Sequence, residues 1–251
     1  MFLDKKPIDQ AAIPAAAEPL VSLWAPDSFA ADQYRALRLT IEQHNGSAGR
    51  LQIIAVTSPG PADGKSVTTL NLAGALAQSS DTRVLVVDAD LRRPSVAAYL
   101  GHGVRQTPGF ADAVRASSND LGEWVQRLDR FNLAVLPAGT PHAAPYELLN
   151  SPQAEMLLTE ARRRYDYIVV DTPPLLPFPD CGVLGRHIDG YLLTVAAHRT
   201  PRKLLTQAVA LIDRAKMLGI VFNGDDGVRA GHYGYYDNDN SAPARERSRG
   251  W

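Results

Sequence analysis

The stretch Ser58-Pro-Gly-Pro-Ala-Asp-Gly-Lys-Ser66 restricts the fold of this chain more than any other. A short apolar run, Leu51 to Val56, leads into it and ends at Thr57. A helical pattern follows, with Val67, Leu70, Gly74 and Ala77 on one face. Strand, glycine-bearing turn and helix in that order form the setting a phosphate-binding loop requires. The turn aims backbone N–H groups at phosphate oxygens, and the helix N-terminus adds partial positive charge. Gly60, Asp63, Gly64, Lys65, Ser66 and Val67 are the candidate nucleotide contacts. Lys65 would reach the outer phosphates, and the Ser66 hydroxyl would ligate Mg²⁺. A surface turn opening a helix is the alternative for this stretch taken alone.

Two later segments decide against that alternative. Arg83 to Val87 reads as a buried strand that runs into Asp88-Ala-Asp90-Leu-Arg92-Arg93-Pro94. Tyr167-Ile-Val-Val-Asp171-Thr-Pro-Pro174 is a second apolar run that ends in an acid. Near-continuous apolar runs suit parallel strands covered on both faces. Ligands of open α/β sheets bind outside the carboxyl ends of such strands, where these acids fall. Asp88 and Asp90, spaced by two, share one side of the chain. Asp171 sits where a metal-holding aspartate is expected in this class of site.

The remaining pattern fills in a single α/β domain. Its mostly parallel sheet carries helices on both faces. Helices are expected over 28–43, with Ser28 as N-cap, over most of 107–128, over 152–164, and over 201–215 with Pro201 at the first helical position. Further strands are expected over 133–136, 190–197 and 217–222. Asn45-Gly-Ser-Ala-Gly reads as a flexible turn, and 141–150 as a loop with a short helical Tyr-Glu-Leu-Leu segment. The expected boundaries are a linker or extended arm over 1–27, rich in Ala and Pro, a domain over 28–223 and a tail over 224–251. The tail is too poor in apolar residues to pack and is expected to be disordered. It nevertheless clusters Tyr233, Tyr235 and Tyr236, which are candidate phosphoacceptors. On the helix over 28–43, Ala30, Tyr34, Leu37 and Ile41 form an apolar stripe. Asp32, Arg35 and Arg38 lie on a different face, available to a neighbouring subunit or to solvent.

Composition removes several functions. The net charge of −1 over 251 residues gives no basic field, so nucleic acid is not expected as a partner. The single cysteine, Cys181, excludes an internal disulfide framework and reads as a packing residue in a reducing compartment. The N-terminal residues lack the apolar core of a signal peptide, and no run approaches the length of a membrane span. A membrane role would come through a partner.

Taken together, these segments resemble the bacterial tyrosine autokinases of the polysaccharide co-polymerase type, within the MinD/ParA-type class of P-loop proteins. Asp32-Gln-Tyr-Arg-Ala-Leu-Arg38 is similar to that family's Glu-x-x-Arg-x-x-Arg oligomerisation helix, with Asp in place of Glu. Ser58–Ser66, Val84–Pro94 and Tyr167–Pro174 resemble its Walker A, Walker A′ and Walker B segments. Pro145-Tyr-Glu-Leu-Leu-Asn-Ser151 is similar to its Pro-x-Glu-Leu-Leu-x-Ser stretch. Pro59 stands where the usual loop begins with glycine, and Gly60 where MinD/ParA proteins carry a signature lysine. The tyrosine cluster is short for the family.

The resemblance implies an ATP- and Mg²⁺-dependent kinase that phosphorylates its own tail in trans within a ring and regulates polysaccharide polymerisation or export. It implies that Ser66, Asp88 and Asp171 serve the metal, and that Lys65 serves the phosphates. One of Asp88 and Asp90 takes the tyrosine proton while the other supports the metal. Asn223 is an adenine contact by analogy with the wider class, or a strand-end turn residue. The implied partners are a transmembrane co-polymerase that activates the kinase, further copies of the chain, and a protein-tyrosine phosphatase. The implied location is cytoplasmic, at the inner membrane through the partner. The competing expectations are a MinD/ParA-type ATPase without kinase activity and a nucleotide-gated scaffold.

Overall fold

The computed structural model describes residues 19–47, 51–101, 108–116 and 120–225. Strands β1 (Ile53–Thr57), β2 (Val84–Asp88), β3 (Gln126–Leu128), β4 (Leu133–Leu136), β5 (Tyr167–Asp171), β6 (Gly190–Ala196) and β7 (Met217–Asn223) form one sheet. Its seven strands run in the order β3-β4-β2-β5-β1-β6-β7. All neighbours pair in parallel except β3, which lies antiparallel on β4. The parallel strands follow from their composition, since β1, β2, β4, β5 and β6 are buried throughout or nearly so.

Alternation along the strands sorts side chains into two cores. Ile54, Val56, Val84, Val86, Val135 and Val169 face helices α1 (Val21–Trp24), α2 (Phe29–Ser47) and α3 (Lys65–Ala77). Ile53, Ala55, Leu85, Val87, Ile168 and Val170 face the other side. That side is covered by α5 (Phe110–Ala116), α6 (Pro145–Leu149), α7 (Pro152–Arg164), α8 (Asp180–Leu184) and α9 (Arg202–Leu211). Helix α4 (Val96–Leu100) follows the turn after β2 on the α3 side, with Val96 fully buried.

The expected doubly covered sheet is therefore present, and several local readings are corrected. The end of the supposed arm is not extended, because α1 docks on α3 with Leu20 fully buried and Leu23 nearly so. Gly74 makes the docking possible, since a Cβ there would meet Leu23 Cδ2 at 2.6 Å. Asn71 secures it, accepting from Ser22 N (2.8 Å) and donating to the Pro19 carbonyl (2.8 Å). Helix α2 continues through Asn45, Gly46 and Ser47, where a turn was expected. The Asn45 side chain is bonded to Leu51 and Tyr167, so a residue read as a turn former anchors this end of the helix instead.

The segment 107–128 is only partly helical. After α5 it makes a 3-10 turn at Leu121–Glu123 and then the antiparallel edge strand β3. Helix α9 stops at Leu211, and Pro201 is its N-cap. A separate 3-10 turn at Arg214–Lys216 follows, capped by Asp213, whose carboxylate accepts from Ala215 N. Cys181 is buried beside Thr172, as a packing residue would be. Among the described residues, no helix is long and apolar enough to cross a membrane. Tyr233, Tyr235 and Tyr236 lie outside the described residues.

Candidate active site

Parity and register bring the site together. Asp88 pairs with Asp171 across β2 and β5, at the carboxyl ends of both strands. Both residues continue the alternation of Val84, Val86 and Val169, so both project towards the α3 side. The loop between β1 and α3 ends on that side, at Lys65 and Ser66 in the first turn of α3. Strand parity and loop connection thus place one ammonium and one hydroxyl among buried carboxylates.

Lys65 Nζ lies 2.7 Å from Asp90 Oδ2 and 3.4 Å from Asp171 Oδ1. Ser66 Oγ donates to Asp171 Oδ2 and accepts from Ser95 Oγ at 2.7 Å. Asp88 is fully buried, with Oδ1 accepting from Asp90 N and Oδ2 from Val96 N, both at 3.2 Å. Asp90 Oδ1 accepts from Arg93 N at 3.0 Å. The turn after β2 is thereby folded back on its own two carboxylates.

The electrostatics are unbalanced. Three carboxylates surround one lysine. Burial pushes the Asp88 carboxyl well above the usual carboxylate range, and the nearby Asp171 pushes it further. Burial also raises Asp171, although Lys65 and Ser66 oppose the rise. For Lys65, burial favours the neutral amine, but Asp171 and Asp90 outweigh it and raise the pKa. Buried carboxylates in excess of their cation are relieved either by protonation or by a bound cation. Among the described residues, no group of three or more His, Cys, Asp or Glu side chains forms a metal cage. Magnesium does not need one, because it is usually held by one or two carboxylates together with water and substrate phosphates. The set Ser66, Asp88 and Asp171 fits that mode.

The loop itself has the shape of an anion cradle. Ala62 (φ 62°) and Gly64 (φ 94°) are left-handed, as in the backbone turns that form anion-binding nests. Gly64 has a second reason to be glycine, since a Cβ would lie 1.9 Å from Asn223 Nδ2. Asn223 donates to the Asp63 carbonyl at 3.3 Å and so braces the loop from the end of β7. Gly60 and Asp63 face each other: Gly60 N donates to Asp63 Oδ2 at 3.1 Å. Val67 follows in the first turn of α3.

Sequence reasoning did not single out three further contacts. Ser95 reaches the Ser66 hydroxyl from the turn before α4. The Arg92 guanidinium bonds Asp180 (2.5 and 3.0 Å) and stacks on Phe178 at 4.3 Å, tying the turn after β2 to the loop after β5. Thr200 bonds the Asp63 carboxylate from the turn after β6. Each joins segments distant in sequence, and neither periodicity nor local spacing signals such pairs. Asp32, Arg35 and Arg38 stand on α2, away from this cluster, and bond within their own chain. Arg35 pairs with Asp32 and donates to Gln78 Oε1, while Arg38 pairs with Glu42 and donates to the Ala75 carbonyl at 3.0 Å.

A parallel sheet, a glycine-bearing loop opening a helix, and acids at two neighbouring strand ends define a nucleotide-binding protein of the P-loop class, whose nucleotide is bound with a metal. Comparison with known proteins narrows this. Residues 51–185 match the AAA domain family. The chain is 32% identical over 219 residues to the tyrosine-protein kinase YwqD of Bacillus subtilis, spanning 86% of this chain and 90% of that one. It is 34% identical over 220 residues to the succinoglycan biosynthesis transport protein ExoP of Rhizobium meliloti, spanning 85% of this chain but only 27% of that one. The kinase domain of the Escherichia coli tyrosine kinase ETK superposes with a TM-score of 0.75 at 27% identity, over 91% of this chain and 89% of that domain. The chain belongs to the AAA-domain family of P-loop proteins and, within it, to the bacterial tyrosine-protein kinases.

Proposed function

We propose that this chain transfers the γ-phosphoryl group of ATP to tyrosines of its own C-terminal tail, on a neighbouring copy. The observation that carries the reading is Lys65, buried at the start of α3 between Asp90 and Asp171 with Asp88 close by. In this reading Lys65 releases the carboxylates and pairs with the outer phosphates. The loop amides and the α3 N-terminus hold the remaining phosphate charge. Magnesium, held by Ser66, Asp88 and Asp171, would neutralise phosphate charge that this acidic cluster cannot. The bond between the γ-phosphorus and its bridging oxygen breaks, ADP leaves, and the tyrosine oxygen forms the new bond. The phenol, with a pKa of about 10, gives its proton to Asp88 or Asp90. Separate Asp88→Asn and Asp90→Asn variants would assign that role.

The acceptors are Tyr233, Tyr235 and Tyr236. Ten residues of extended chain beyond Asn223 reach at most about 35 Å, enough to enter a neighbour's site. Assembly through Asp32, Arg35 and Arg38 would present that site. Each phosphate adds about two negative charges, so phosphorylated tails would repel one another and loosen the ring. The Rhizobium relative is named for polysaccharide transport, and this chain matches only about a quarter of it. A transmembrane co-polymerase as activator, a phosphatase as counterpart and a cytoplasmic place beside the membrane complete the reading.

The test mixes two chains with Mg-ATP. One carries Lys65→Met and an intact tail; the other is active but carries Phe at 233, 235 and 236. Phosphotyrosine on the Lys65→Met chain, mapped by mass spectrometry to the tail, is the expected result. Wild-type protein that hydrolyses ATP yet never gains phosphotyrosine, even with its activator, would make this an ATPase instead.

A further inference from the structure

We propose that Thr200 is a positioning residue of the nucleotide site, acting through Asp63 to keep the phosphate loop in its binding shape. The proposal rests on the reading of that loop as the nucleotide cradle. Asp63 is an awkward residue for such a loop, because its carboxylate sits among amides meant for phosphate. Free to swing, it would repel a phosphate; tied to fixed partners, it cannot swing.

The structure holds it in place from both oxygens. Thr200 Oγ1 donates to Asp63 Oδ1 at 2.7 Å and accepts from Ala196 N at 3.0 Å, so both functions of the hydroxyl are used. The other carboxylate oxygen takes the Gly60 amide. Asp63 is only 6% exposed, so few other partners can reach it. The same turn makes a second contact, from the Arg199 guanidinium to the Ala62 carbonyl at 2.7 Å. Ala62 is left-handed, a conformation that alanine keeps only where its surroundings enforce it.

The turn can act as a fixed post because it is itself anchored. Arg199 N and Thr200 N both donate to the Ala196 carbonyl, and Ala197 N donates to the Asn223 carbonyl. The brace therefore runs from the ends of β6 and β7 to the crown of the loop, at residues 137 positions apart in sequence.

The test compares Thr200→Val, Thr200→Ser and Thr200→Val/Asp63→Asn with the wild type. Valine keeps the shape and removes the hydroxyl; serine keeps the hydroxyl. Losing a hydrogen bond to a charged group should weaken Mg-ADP binding roughly tenfold in Thr200→Val, while Thr200→Ser stays within about twofold of wild type. Neutralising the freed carboxylate in the double variant should recover most of the loss, which a merely structural role for Thr200 would not produce. Without nucleotide, hydrogen exchange at residues 60–64 should quicken in Thr200→Val and stay unchanged in β2 and β5. Binding by Thr200→Val within about twofold of wild type, a serine variant as weak as valine, or unaltered exchange at 60–64 would each overturn the proposal. Failure of the wild type to bind Mg-ADP would sink the kinase reading instead, and the exchange comparison would still decide the role of Thr200.

Discussion

Lys65 is asked to do two jobs. It meets phosphate in the proposed reaction, and in the protein alone its ammonium lies against three buried acids: Asp90 at 2.7 Å, Asp171 at 3.4 Å and Asp88 nearby. Removing it leaves uncompensated buried charge, which typically costs about 3–5 kcal/mol. Lys65→Met should therefore be less stable than wild type at pH 8, and not merely inactive. The pH dependence gives the signature. Asp88 and Asp171 are already raised by burial, so the native state holds protons that the unfolded chain releases. A raised carboxylate contributes stability at low pH that is lost as pH climbs through its native pKa. Without Lys65 both rise further, so the deficit of Lys65→Met should shrink as pH falls from 8 towards 5. Urea unfolding at the two pH values measures it; an equal deficit at both would mean that the carboxylates do not depend on Lys65.

At the scale of elements, the opposite end of the sheet shows how β1 is set in place. Asp189, just before β6, accepts from Gln52 N (3.0 Å) and Ile53 N (2.7 Å) at the start of β1, and bonds the Arg162 guanidinium of α7 twice. Gln52 in turn donates to the Arg162 and Tyr165 carbonyls at the end of α7. One carboxylate joins two strands and a helix, and the phosphate loop hangs from the far end of β1. Asp189→Ala should cost roughly 2–4 kcal/mol, read as a lower urea midpoint. Burial alone would raise this carboxyl, but Arg162 and the two amides hold it below the usual range. Its contribution is therefore present above about pH 4 and lost as pH falls through its native pKa. The acid limb of the stability curve should be shallower in Asp189→Ala than in wild type.

None of this brace was visible in the sequence, whereas the strands it joins were. Strands and helices with strong periodicity, such as 133–136, 152–164 and 167–171, appear where expected, because alternation and capping act over a few residues. Asp88, Asp171, Lys65 and Ser66 meet because loop and strand ends are local signals too. Elements whose form depends on what they touch were misread. Val21–Trp24 is ordered by docking at Gly74, and Gln126–Leu128 is a strand only because β4 offers an edge. Ser95, Thr200 and the Asp180 partner of Arg92 belong to the same class, as long-range polar pairs.

For the whole molecule, the question is how the proposed assembly would reach the site. The arginines of α2 do not wait unpaired for a neighbour. Arg38 donates to the Ala75 carbonyl and Arg35 to Gln78, both at the C-terminal end of α3, where cations are favoured by the helix dipole. Lys65 and Ser66 begin that same helix. Whatever pulls on Arg35 or Arg38 therefore pulls on α3, and substitutions at either arginine would confuse loss of assembly with disturbance of the site. Asp32 separates the two. Its side chain is 55% exposed, and it forms an ion pair with Arg35 in the next turn. Asp32→Arg removes the ion pair to Arg35 but should leave the Arg38 contact with α3 intact, while placing like charge against a neighbour's arginines in the proposed assembly. Repulsion of that kind costs several kcal/mol, so self-association should weaken by more than about a hundredfold. Light scattering should then report monomers, tail phosphorylation should fall steeply at low chain concentration, and Mg-ADP affinity should stay near wild type. Self-association that survives Asp32→Arg would place any assembly surface elsewhere on the molecule. A monomer that still phosphorylates its tail at a rate independent of concentration would make the transfer a reaction within one chain.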